Sequence, residues 1–288
     1  MNSRVSKEEL SLLWDFARAE QKVRGVMGEM TSGVALVTFL ARYTHWNGFF
    51  GSGVAALAGK VGRSRTLFMD GSEPVTALAD RSVLVASYFF DAARDEFDDR
   101  DTPHRDTHRC LAQALLKGLL GFLGRSEPRF QDPAFVNELC APPVWLRALG
   151  SRVAQGYGGG GFDDAASIFR AIGYHLGSEI LADREFSLID EALRRRHAGL
   201  VSHLEKTPVE IAGQSHQAYR WLSVHSGHGG QVEADHFEWA TKGARLGLDF
   251  VAARERPFFR RQLHLGFVDF ARDHEEFFDN VREFQEPS

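Results

Sequence analysis

The chain has 288 residues, 43% of them hydrophobic and 25% charged, with a formal net charge of −5 and a pI near 6.2. That length can bury enough apolar surface to fold without disulfides or a structural metal. The acidic balance excludes a general pull toward nucleic acid or anionic membrane. The two cysteines, Cys110 and Cys140, form no metal or redox spacing and read as free thiols of a cytoplasmic protein. The first 25 residues mix charges throughout and lack the apolar segment of a signal peptide. No run approaches the roughly 20 apolar residues that span a bilayer. The 23 phenylalanines suggest an aromatic core or an apolar cavity.

Helical period dominates and no convincing run alternates like a strand. The expected fold is therefore all-α, one domain over residues 1–288, built from about seven or more helices. In chain order the pattern predicts helices over 7–24, 28–46 and 74–97. DDRDTPH, 98–104, then breaks the period at Pro103, and a fourth helix runs over 105–123. Residues 124–163 contain SEP, QDPAF, APP and GYGGGGF, and read as a long irregular connection with a short helix inside. Connections of that length tend to be functional, so a cover over a cavity mouth is expected there. Further helices are predicted over 164–196, over 215–250 with an interruption near Gly227 to Gly230, and over 258–284 after Pro257.

A buried charge is costly unless it is paired or bound to metal, so acids on apolar helix stripes are informative. Val85, Phe89, Ala92 and Glu96 fall at i, i+4, i+7 and i+11, one face of a helix. His108, Leu111, Leu115, Leu119 and Phe122 share a face of the next helix, with His104 one turn earlier. Twelve residues separate Glu96 from His108, and the break at Pro103 frees the two to converge. Ile168, Ile172, His175 and Glu179 repeat the pattern, whereas Glu185, Asp190 and Glu191 read as surface charges. In HSGHGGQVEADHFEW, residues 225–239, Glu233 and His236 share a side with Phe237, Ala240 and Ala244. They form an E-x-x-H pair able to reach one ion. Asp235, Glu238, Lys242 and Arg245 lie on another side and mix signs as an exposed face does. The glycines leave either His225 or His228 free to turn toward the pair.

Each residue alone also has an ordinary explanation, as a helix-end carboxylate or a core histidine. Convergence favours the alternative: three helices each present an inward carboxylate, and two add a histidine. Inward glutamates with Glu-x-x-His pairs are how helical bundles hold two iron or manganese ions. Carboxylate and imidazole suit those metals, while thiolate would favour zinc.

Three segments resemble the heme-oxygenase-like non-heme di-iron oxidases. AIGYHLGSEILADREFSLIDEAL is similar to their central helix, whose metal-binding glutamate maps onto Glu179. VEADHFEWATKG resembles their last ligand helix and maps its acid and histidine onto Glu233 and His236. DEFDDRDTPHRDTHRCLAQALLKGLL resembles their first ligand segment, which maps onto Glu96 and His108. The likeness covers about residues 74–250 as scattered motifs whose order is more specific than any one of them. The family commonly has a histidine four residues before the last acid, where this chain has Gly229. His225 is the substitute if a turn is inserted, and His228 is the near alternative. The first pair is spaced more widely than usual, so His104 remains a rival to His108.

The resemblance implies a heme-oxygenase-like fold without heme and a metal set of Glu96, His108, Glu179, His225, Glu233 and His236. His104, His175 and His228 stand as alternative or supporting ligands. It implies two Fe(II) ions, dioxygen as co-substrate, an external electron donor and a possible homodimer. Such proteins serve natural-product pathways, and N-oxygenation of a small amine toward a hydroxylamine or nitro product is the leading expectation. Oxidative carbon–carbon cleavage or decarboxylation of an amino or fatty acid is the alternative. From another class comes a metal-free or thiaminase-like protein, which would need a cysteine in the cavity. A helical interaction protein would instead turn its glutamates to solvent or to arginines.

Overall fold

A computed structural model describes residues 5–68, 74–98, 105–159, 164–227 and 232–282, leaving aside the side chains of residues 75–80 and 232–234. The protein is mostly helical, as the period predicts. Its elements run α1 Lys7–Leu10, α2 Phe16–Glu29, α3 Gly33–Asn47, α4 Phe50–Arg63, α5 Val75–Phe97 and α6 His108–Leu123. A short 3-10 turn, Pro128–Gln131, leads to α7 Pro133–Cys140 and α8 Val144–Gly156. Then come α9 Ala165–Arg196, α10 Ala198–Leu204, strands β1 Pro208–Ile211 and β2 Gln214–Gln217, α11 Arg220–His225, α12 Val232–Phe250 and α13 Arg256–Asn280. No helix among the described residues is long and apolar enough to cross a membrane.

The axis of the fold is α9, 32 residues or about 48 Å long. Asp164 caps its start by accepting from the Ser167 amide at 2.9 Å, and three arginines close it. From Ala171 to Ala182 every residue is buried, and α2, α4, α11, α12 and α13 all pack against the helix. The crossing with α13 is backbone to backbone. A Cβ on Gly173 would collide with the Leu263 carbonyl, and one on Gly266 with the Arg170 carbonyl. Glycine is what lets these two helices touch so closely.

Several expectations need correction. The first predicted helix is two, because Asp15 accepts from the Arg18 amide at 3.1 Å and starts α2 afresh. The segment FGSGVAALAGKVGR was not expected to be helical, yet it forms α4. Its glycines disfavour a helix in isolation. Packing overrides them: the site of a Gly53 Cβ is taken by the Tyr157 ring, and α4 lies along α5. Of the stretch 124–163, the described residues 124–159 are largely helix and not an irregular connection, with Asp132 and Pro133 giving α7 a proper start.

The start of the predicted 215–250 helix is instead half of an antiparallel hairpin, with Val209 opposite His216 and Ala212 and Gly213 both at positive φ in the turn. Two four-residue strands are too short to announce an alternating pattern. Glu185 and Asp190 are not surface charges. Both are buried, Glu185 bonded to Tyr43 Oη and His274 Nε2, and Asp190 to Tyr219 Oη, Ser226 Oγ and Arg194. The solvent side of this part of α9 carries Arg184 and Glu191, while Glu185 and Asp190 turn from it toward His274 and Tyr219. Glu191 is exposed as expected. Cys110 and Cys140 are free.

Candidate metal centre

The last turn of α5, the first of α6 and the end of α11 bring Glu96, His108 and His225 together, with one ligating atom from each lying within 4.8 Å of the others. His108 Nδ1 is 3.1 Å from Glu96 Oε2 and 3.2 Å from His225 Nε2. The tautomer of His225 follows from its other nitrogen. Its Nδ1 lies 2.6 Å from the Trp221 carbonyl, which can only accept, so Nδ1 carries the proton. Burial, reinforced by His108, pushes His225 down to about 3, so near neutral pH its Nε2 presents a lone pair. Phe186 stacks on the His225 ring at 4.4 Å and fixes its plane. Two acceptors, Glu96 Oε2 and His225 Nε2, thus face the same His108 nitrogen, a point that a single proton or cation can occupy.

The second half of the centre lies on α9 and α12. Glu179 Oε1 is 3.2 Å from His175 Nδ1, and Oε2 is 3.4 Å from His236 Nδ1. His236 Nε2 reaches Asp95 Oδ2 at 3.0 Å. A carboxylate on the far nitrogen orients an imidazole and raises its basicity, as it does for many metal-bound histidines. His175 is fully buried, and burial holds its pKa below the ordinary value. Its Nδ1 points at Glu179, while its Nε2 finds no hydrogen-bond partner among Phe89 and Tyr157, against which the ring packs.

Both halves meet one cavity of about 260 Å³ that Glu96, His108, Glu179 and His225 all line. Burial alone would raise the Glu96 carboxyl, but His108, His236 and His225 together hold it near 2. Among the described residues neither Glu96 nor Glu179 is tied to an arginine. The donor set is carboxylate and imidazole without thiolate, and Cys110 and Cys140 do not line the cavity. The residues therefore fit a first-row metal bound through oxygen and nitrogen. Ligand atoms about 2.0–2.2 Å from a common ion stand roughly 3–3.5 Å apart, which the 3.1 and 3.2 Å separations about His108 Nδ1 match.

Of the residues expected from sequence, Glu96, His108 and His225 are brought together as one group and Glu179 and His236 as a second, with His175 beside Glu179. His104 and His228 lie outside the described residues, as does the side chain of Glu233, whose backbone belongs to α12. Sequence reasoning missed Asp95. It sits three residues after buried Ala92 and is itself 7% exposed. Reading i+3 beside i+4 on α5 would have found it. Another missed pair, His216 and Asp106 at 2.6 Å, ties the hairpin to the segment just before α6. No family model, curated protein or solved structure matches the chain. The likeness to heme-oxygenase-like oxidases therefore rests on the quoted motifs.

Proposed function

We propose that the protein is a non-heme, dioxygen-dependent oxidoreductase with a carboxylate–histidine metal centre, most simply two iron ions in a heme-oxygenase-like helical fold. One observation carries the reading: the lone pairs of Glu96 and the neutral His225 converge on His108 at the floor of a cavity, beside Glu179 and His236. Glu96, His108 and His225 would hold one ion. Glu179 and His236, with Glu233 as a further candidate, would hold the other. Ferrous iron, when bound, supplies the electrons that reduce dioxygen. The protein's own share is orientation and exclusion of water. Trp221 and Phe186 hold His225, Asp95 orients His236, and His175 steadies Glu179 through one oxygen. Phe50, Phe186 and Trp221 add apolar surface to the wall.

N-oxygenation of a small amine is the reaction proposed first, with oxidative carbon–carbon cleavage as the alternative. A formaldehyde, carbon dioxide or alkene product would decide for the latter. The test is anaerobic loading with ferrous iron followed by exposure to air in an oxygen electrode. The proposal expects oxygen uptake by the native protein and none above background in Glu179→Ala or His225→Ala. Uptake unaltered in both variants would refute it.

A further inference from the structure

The mouth of this cavity carries a cation, Arg109, that no carboxylate among the described residues pairs with. Gly48, Ser52, Phe97 and Arg109 are the exposed residues of its lining, whereas His108, Ser178, Glu179 and His225 are buried at its floor. Arg109 is the one arginine or lysine among the described lining residues. Other arginines of the fold are paired with carboxylates: Arg152 with Asp273, Arg170 with Asp269, Arg184 with Glu20. Among the described residues Arg109 donates to the Thr44 carbonyl, which its Nη1 reaches at 2.6 Å. That bond uses one of its five N–H donors and anchors an exposed guanidinium at the mouth. Gly48 provides the room, since a Cβ there would stand 2.5 Å from Nη1 and 3.1 Å from Cζ. A planar edge with two parallel N–H donors matches a carboxylate.

We infer that Arg109 is the specificity-determining residue of the cavity and selects substrates bearing a carboxylate. It holds the anion at the mouth with the rest of the molecule directed inward. The inference rests on the reading above that the Glu96 and His225 end is the reacting end. At about 260 Å³ the cavity is at the small end for ligand sites, so the substrate is a compact molecule. With the carboxylate at Arg109, the other end of the substrate is the one that meets Glu96 and His225. The reacting group, whether amine nitrogen or carbon, is thus remote from the carboxylate.

The test uses the 288-residue chain as purified and after chelation. Unbranched carboxylates from butanoate to decanoate, their primary amides and the matching amines are titrated by calorimetry and ligand-observed NMR. The expected result is that at least one carboxylate binds about tenfold or more tighter than its amide. That preference persists after chelation and disappears in Arg109→Gln, which removes the charge and the forked donors. Gly48→Ala, which displaces the guanidinium, weakens it as well. Equal binding of acid and amide, a preference surviving Arg109→Gln, or binding of no carboxylate in the series would each overturn the assignment. Metal content, measured on the same samples, separates the two claims. A protein that takes up no metal yet shows the Arg109-dependent preference refutes the metal centre and leaves the anion site standing.

Discussion

His225 Nε2 rests 3.2 Å from His108 Nδ1, although 117 residues separate them in the chain. Two imidazoles set edge to edge inside a protein need a reason, since each buried nitrogen requires a partner. The Trp221 carbonyl gives half of it, by fixing which His225 nitrogen holds the proton. The other half is the shared target, a position that Glu96 also addresses. A cation there would satisfy all three.

Replacing either imidazole should therefore abolish metal retention without unfolding the protein. In His108→Ala and His225→Ala, metal per chain measured by inductively coupled plasma mass spectrometry is expected to fall below half of the native value. Circular dichroism should stay helical. Native metal content in both variants would show that these histidines bind each other for structural reasons alone.

Asp95 touches His236 and does not line the cavity, so its effect should be indirect. Asp95→Asn is expected to weaken metal affinity about 10–100-fold while leaving the ligands in place. Competition with a chelator of known affinity measures this. An unchanged affinity would mean that Asp95 only satisfies a buried imidazole.

Acid should destabilise the metal-free protein through the site itself. Glu96, held near 2 against 4.5, and His225, held near 3 against 6.5, both have folded values below their unfolded ones. The unfolded chain therefore takes up protons first. The stabilising contribution is complete above the unfolded values. It is lost as pH falls from 6.5 toward 3 for His225 and from 4.5 toward 2 for Glu96. Thermal melts of the chelated protein should show a midpoint falling from about pH 7 to about pH 4, with a shallower fall in His225→Gln. Identical slopes in the two proteins would contradict the assignment to His225.

Glu185 is the internal control for acids that are buried but not at the centre. It accepts from Tyr43 Oη at 2.8 Å and from His274 Nε2 at 2.7 Å, and it lies outside the metal cavity lining. Glu185→Ala leaves two buried donors without an acceptor and should cost about 2–5 kcal/mol by denaturant unfolding, with metal content unchanged. Loss of metal at native stability would place Glu185 in the site instead.

Helix period alone made much of this centre legible. Glu96 and Glu179 stood out because each extends an apolar stripe at i+4 or i+7, and His236 because it joins Ala240 and Ala244 on one side. The same arithmetic failed where a helix keeps only a narrow solvent face. Glu185 and Asp190 each lie one residue from an exposed neighbour, Arg184 and Glu191, yet turn inward to His274 and Tyr219. It failed again where tertiary contacts overrule local preference. The glycines of α4 argue against a helix until the Tyr157 ring and α5 are in view. Asp95 was hidden by its neighbour: adjacent residues on a helix point about 100° apart, and either could have been the inward one. His225 was visible only as one of two options, because glycines beside it remove the period that would choose.

The central claim is that a metal ion, and not a proton, belongs among Glu96, His108 and His225. The most direct measurement is X-ray absorption on the protein loaded anaerobically with ferrous iron, compared with a Glu96→Ala, His108→Ala, His225→Ala triple variant. Bound iron with nitrogen and oxygen neighbours and an imidazole scattering pattern, absent from the variant, is the predicted result. Iron that stays in bulk solution, or that binds the triple variant equally well, would contradict it.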